Sequence, residues 1–168
     1  WDKGDHFLQL SNREEELIDL VTSNFDNVIV VYNGANAFEM DWVKNYPQIK
    51  GVLLCPGTGQ SGFEGFGKVV SGEVNPSGRT VDTYVSNLKN APWWNFGDFK
   101  YTNTEELNSD SSFFDPEGTT PSFVNYVEGI YVGYKFYETA ADEGLINYDD
   151  EVVFPFGYGL SYTSFTKE

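Results

Sequence analysis

Residues 28–32 read Val-Ile-Val-Val-Tyr, five consecutive β-branched or aromatic residues that halt at Asn33-Gly34. A run with no polar alternation predicts a strand buried on both faces, the environment of a parallel sheet, ending near Tyr32. The flanking patterns are helical. Upstream, Ser11-Asn12-Arg13-Glu14 has the form of a capping box, and Leu17, Ile18, Leu20, Val21 and Phe25 follow at helical spacing. Glu14, Glu15 and Glu16 fall in the first turn, where the positive end of the helix dipole favours acids, so this run reads as helix-start electrostatics rather than catalysis.

Downstream, Phe38, Trp42, Val43 and Tyr46 predict a helix over 37–46, stopped by Pro47. A second strand is predicted over 51–55, and after a glycine-rich turn a helix over about 60–71. Helix, strand, helix, strand, helix with short links predicts an α/β fold with right-handed crossovers. Asn75-Pro76-Ser77-Gly78 is a turn by composition, and 80–85 alternates as a strand leading out of it. Residues 86–122 are polar, with Pro92, Pro116 and Pro121 among scattered aromatics such as Trp93 and Trp94, and a loop of that length covers something or acts on something. Order returns over the aromatic-dense 123–137, and 152–162 closes the chain.

Charge and composition remove several function classes. With 26 acidic against 10 basic residues the formal charge is −16, which repels phosphate backbones and argues against a nucleic-acid partner. No apolar run approaches the roughly 20 residues that span a bilayer, and no membrane partner is expected. Cys55 and His6 are each the only residue of their type, so no disulfide, cysteine zinc site or histidine cluster can form, and no metal or other cofactor is expected. A Cys55–His6 nucleophilic pair would draw its base from a lead-in segment, residues 1–10, that reads as frayed. At 168 residues the chain fits one domain, and starting at Trp1 with no initiator Met or leader it reads as a piece of a longer protein.

Gly57-Thr58-Gly59-Gln60-Ser61-Gly62 matches the G-x-G-x-x-G pattern between a predicted strand and a predicted helix, which keeps a dinucleotide-binding domain open as an alternative. That fingerprint needs an acid about 20 residues on, at the end of the next strand. The nearest, Asp82, lies inside the 80–85 run. Close packing of helix on strand explains the glycines without a ligand. Glu128 sits among Tyr126, Gly129, Tyr131 and Tyr134, an aromatic setting that either raises a carboxyl pKa or buries the group against a partner.

Four segments together resemble the C-terminal domain of family 3 glycoside hydrolases. They are VIVVYNGANAFEMDWV (28–43), GVLLCPGTGQSGFEGFGKVVSGEVNPSGRT (51–80), YVEGIYVGYKFYE (126–138) and FPFGYGLSYTSF (154–165). The resemblance implies an α/β sandwich with a mostly parallel central sheet and helices on both faces, packed beside a barrel domain of the same parent protein. It implies retaining hydrolysis of β-linked sugars by two carboxylates about 5–5.5 Å apart, with a small carbohydrate as substrate. The nucleophile of the family is an Asp of the barrel, and the acid/base a Glu in a Gly-Glu-Gly-like loop that this chain lacks after Trp1. Both are expected outside the chain, which is predicted inactive alone and to form one wall of the cleft. Gln60, Tyr126 and Glu128 are the residues expected to face substrate. Asn75, Pro76, Ser77, Gly78 and Arg79 match the family's turn and read as structural, with Arg79 suited to anchor a carboxylate bidentately. The chain departs from the pattern in its longer Pro56–Gln60 loop and in Lys135, where Arg is usual. A carbohydrate-binding or scaffold module without catalysis is the other alternative.

Overall fold

The computed structural model describes residues 6–94, 101, 123, 125–164 and 166. Helix α1 (Asn12–Asn24) starts at the predicted cap, where the Glu14 carboxylate accepts the Ser11 N–H at 2.8 Å and the Ser11 hydroxyl at 2.6 Å. Strand β1 (Val28–Tyr32) follows and pairs in parallel with β2 (Ile49–Leu54). The pairing continues past the strand ends, since the Cys55 N–H donates to the Tyr32 carbonyl at 2.9 Å and the Asn33 side chain donates to the Cys55 carbonyl at 2.7 Å. Helix α2 (Phe63–Val70) then begins three residues later than the pattern predicts.

Two expectations fail here for physical reasons. Between β1 and β2 the helix predicted over 37–46 shrinks to a 3-10 helix, Asp41–Asn45. Phe38 and Met40 are buried with Glu39 between them, and the Glu39 N–H bonds the Leu8 carbonyl at 2.9 Å. Burial with a period of two demands an extended backbone, and it prevails over the spacing of Trp42 and Tyr46. Nor is β1 covered on both faces: Ile29 is 53% exposed and Val31 40% exposed.

The strand predicted over 80–85 is realised only at Tyr84–Val85 (β3), which pairs antiparallel with β4 (Val152–Phe154). Among the described residues the chain therefore forms one parallel and one antiparallel two-stranded sheet. The second is the one buried on both sides. Successive strand residues face opposite ways. Tyr84 joins Phe38 and Met40 in one cluster, packed by Tyr32, Val52 and Leu54 of the parallel sheet. Val85 joins Leu88, Tyr137 and Val152 in the other, against Trp93, Trp94 and Phe136. The short ribbon is the wall between two apolar cores. Burial in these cores pushes the Tyr84 and Tyr137 hydroxyls upward in pKa, the latter to about 12, so both phenols remain neutral at physiological pH.

Helix α3 (Tyr134–Asp142) supplies Tyr137 to the second core and buries Ala140 as well. It ends with Gly144 at φ 69° and the Leu145 N–H returning to the Ala140 carbonyl at 2.8 Å, a turn that a left-handed glycine closes without strain. A short helix α4 (Tyr148–Glu151) then runs directly into β4. Of the polar segment predicted over 86–122, the described part carries a 3-10 turn, Leu88–Asn90, and the two indoles that seal the second core. Residues 95–100 and 102–122 lie outside the described residues.

Candidate functional site

The glycine loop between β2 and α2 sits at the carboxyl end of a parallel strand, a usual place for ligands in α/β sheets. Gly59 adopts φ 65° and the Gly62 N–H bonds the Thr58 carbonyl at 3.1 Å, so the loop is a tight turn that hands the chain to α2. Gln60 is exposed on that turn. Asp82, the acid a ribose would need, precedes β3 of the antiparallel ribbon, and its Oδ1 accepts the Thr83 N–H at 2.9 Å. Among the described residues it does not end a strand adjacent to β2, so the arrangement that the dinucleotide fingerprint calls for is not formed there.

Tyr126 and Glu128 lie on the turn that leads toward α3. Tyr126 is 80% exposed, and Glu128 is half-buried with its backbone carbonyl accepting the Tyr131 N–H at 2.9 Å. No hydrogen bond, ion pair or ring contact joins Gln60, Tyr126 and Glu128 to one another among the described residues.

The turn over 75–79 is clasped by the chain's carboxyl-terminal segment. Asn75 Oδ1 accepts the Tyr162 N–H at 2.8 Å and the Ser161 hydroxyl at 3.0 Å, while its Nδ2 donates to Thr163 Oγ1 at 3.1 Å. Next along, Thr80 donates its N–H to the Tyr158 carbonyl at 2.8 Å and its hydroxyl to the Pro155 carbonyl at 2.5 Å, and accepts the Tyr158 N–H at 2.9 Å. Pro76 is half-buried, Ser77 and Gly78 are exposed, and Arg79 lies against Gly159. The Arg79 guanidinium donates to the Gly78 carbonyl at 3.1 Å and forms no ion pair with a carboxylate among the described residues.

Sequence reasoning missed a polar knot around Glu39. His6 is ordered rather than frayed, its side chain 8% exposed beside a Glu39 side chain 16% exposed. Its Nδ1 accepts the Leu8 N–H at 3.2 Å, which leaves Nε2 to carry the proton and donate to Glu39 Oε1 at 3.1 Å. The same oxygen accepts the Leu88 N–H at 2.7 Å, and the Trp42 indole N–H donates to the Glu39 carbonyl at 3.0 Å. Glu39 thus ties three distant segments together. It also lines an open cleft of about 170 Å³ together with Gln9, Glu15, Asp41, Trp42 and Ser86. None of the residues predicted to face substrate lines that cleft. The available signal was a carboxylate between two buried apolar residues, Phe38 and Met40. Neither hydrogen bond of the His6 side chain reaches Cys55, which is half-buried just after β2. Among the described residues no cluster of His, Cys, Asp and Glu is arranged to hold a metal ion, and no helix is long and apolar enough to cross a membrane.

Comparison with known proteins agrees with this reading of the segments. The chain is 34% identical over 168 residues to beta-glucosidase A of Butyrivibrio fibrisolvens, covering all of this chain and 17% of that protein. Its fold superposes on a beta-glucosidase of Paenibacillus barengoltzii with a TM-score of 0.68 at 31% identity, covering 94% of this chain and 14% of that one. Beta-glucosidase 3B of Thermotoga neapolitana, solved in complex with glucose, gives a TM-score of 0.67 at 31% identity over 96% of this chain and 19% of its own. The chain therefore spans less than a fifth of the length of these relatives. It matches the glycosyl hydrolase family 3 C-terminal domain over residues 2–162, and it belongs to that family.

Proposed function

We propose that this chain is the portion of a retaining β-glycosidase that walls one side of the active-site cleft, against a barrel domain of the same parent protein. The observation that carries the reading is the family match over residues 2–162 in a chain that covers only 17% of a beta-glucosidase relative. In this reading both catalytic carboxylates lie outside the chain. The nucleophile belongs to the barrel, and the acid/base belongs to a loop just upstream of residue 1, with the separation of about 5–5.5 Å that retention requires. The two small sheets are parts of an α/β sandwich with helices on both faces. Gln60, Tyr126 and Glu128 face the sugar, and the turn from Asn75 to Arg79 is structural.

The test is an assay on an aryl β-glucoside with the parent protein and with the 168-residue chain. Turnover by the parent, with the anomeric configuration of the first-formed product retained, and none by the chain is the expected result. Turnover by the chain above buffer would overturn the placement of the carboxylates. An inert parent whose isolated chain binds glucose would replace the reading with a carbohydrate-binding module.

A further inference from the structure

We propose that Asn33 is a site of covalent modification, which deamidates through a cyclic imide closed on Gly34 at a rate governed by its hydrogen bond to the end of β2. Asn33 is the only asparagine of the chain that precedes glycine. Glycine has no side chain to obstruct attack by its own nitrogen on the preceding carboxamide, and asparagine is among the chemically labile residues. The pair lies just past the end of β1, Asn33 is exposed to water, and the Gly34 N–H makes no hydrogen bond among the described residues. The attacking nitrogen is therefore not tied up in the sheet, and water has access to the imide that it forms.

The fold demands both halves of this labile pair. The Asn33 side chain donates to the Cys55 carbonyl at 2.7 Å, one step beyond the bond from the Cys55 N–H to the Tyr32 carbonyl at 2.9 Å, and so closes the carboxyl end of the parallel sheet. A carboxylate cannot donate there. At position 34 a Cβ would run into the Tyr32 ring, which packs on Phe38 with centroids 5.0 Å apart and on the core beneath. The bond to Cys55 also restrains the chemistry, because the carboxamide has to leave that carbonyl to turn onto the Gly34 nitrogen. In the reaction the Gly34 nitrogen gives its proton to hydroxide and bonds to Asn33 Cγ, while the Cγ–Nδ2 bond breaks and ammonia departs with a proton from water. Water then opens the imide, at Cγ to leave aspartate or at the backbone carbonyl to leave isoaspartate, with no change of oxidation state. Either product loses the donor that faced Cys55 and adds a negative charge to a chain already at −16.

The test incubates the parent protein and the free peptide of residues 28–38 at mildly alkaline pH, and follows residue 33 by peptide mass spectrometry and isoaspartate-specific methylation. Conversion in the protein is expected to run roughly 3- to 30-fold slower than in the peptide, the protection that one hydrogen bond at a sheet end provides. Asn33→Gln, whose longer side chain closes only a larger and slower-forming ring, should not convert over the same period. Asn24, Asn27 and Asn90, which precede residues with side chains, should stay intact as well. Asn33→Asp, which carries one product from the start, should quicken exchange of the Cys55 amide about 2- to 10-fold. No conversion at residue 33 over about 30 half-lives of the peptide, or faster conversion at Asn24, Asn27 or Asn90, would overturn the site. Conversion as fast as in the peptide, or unchanged Cys55 exchange in Asn33→Asp, would overturn the part assigned to the hydrogen bond.

Discussion

Replacing Asn75 with alanine deletes three hydrogen bonds that hold the carboxyl-terminal segment, to Tyr162 N–H, Ser161 Oγ and Thr163 Oγ1. Each neutral bond contributes about 1 kcal/mol net, and because the site is exposed, water recovers part of each. The predicted loss is therefore about 1–2 kcal/mol, and it is local. The Tyr162 amide is the sensitive probe, since Asn75 Oδ1 is its acceptor at 2.8 Å. Amide exchange at Tyr162 should quicken roughly 5- to 30-fold in Asn75→Ala, whereas the Thr80 amide, which bonds the Tyr158 carbonyl, keeps its protection. Asn75→Asp supplies the control. A carboxylate still accepts from Tyr162 and Ser161, and the Thr163 hydroxyl can rotate to donate. Exchange in that variant should stay within about twofold of wild type. Less than a twofold change in Asn75→Ala, or equal changes in the two variants, would refute the claim that the carboxamide is the clasp.

Two other perturbations test the same packing. A Cβ at Gly159 would be driven into the Gly78 carbonyl and to 2.7 Å from the Arg79 guanidinium, so Gly159→Ala should lower the urea midpoint by an equivalent of about 1–3 kcal/mol. Gly57→Ala, with nothing within 4 Å, should shift it by less than about 0.5 kcal/mol. Burial first, and then the negative charges of Glu151 and Asp82, push the Tyr137 hydroxyl up to about 12. A pKa raised on folding means that stability is intact below pH 10, where the unfolded phenol begins to ionise, and falls away as pH climbs through 12. The full loss is roughly 3 kcal/mol. In Tyr137→Phe the decline in urea midpoint between pH 10 and 12 should shrink, leaving the shares of Tyr148, raised in the same direction by burial and its bond to Glu138, and of Tyr84, raised by burial. An unchanged decline would show that ionisation of Tyr137 is not what destabilises the fold at high pH.

What could be read from sequence was whatever repeats locally. The uniform apolar run of β1 and the Ser11–Glu14 cap each express their structure within a few residues, and both stand where the pattern placed them. The 37–46 segment shows the limit of that logic. Its apolar residues satisfy a helical and an extended spacing at once, and burial of Phe38 and Met40 against Tyr84, some 45 residues away, decides between them. The antiparallel ribbon was illegible as a pair because its two strands are short and lie far apart in the chain, so the alternation over 80–85 gives no sign of the partner it meets. His6 and Glu39 are 33 residues apart, and a single polar contact leaves no periodic trace. The turn at Asn75 and the segment ending at Tyr162 occupy the middle ground. Each was recognisable by resemblance, yet neither shows in isolation why it should exist. The structure supplies the reason: the turn presents a carboxamide and a threonine hydroxyl with no partners of their own, and the distant segment, poor in regular structure, presents backbone groups in the same condition. Each satisfies the other, so two motifs that look independent in sequence are joined bond by bond, and a change at one group is expected to be felt at the partner across the clasp that it holds.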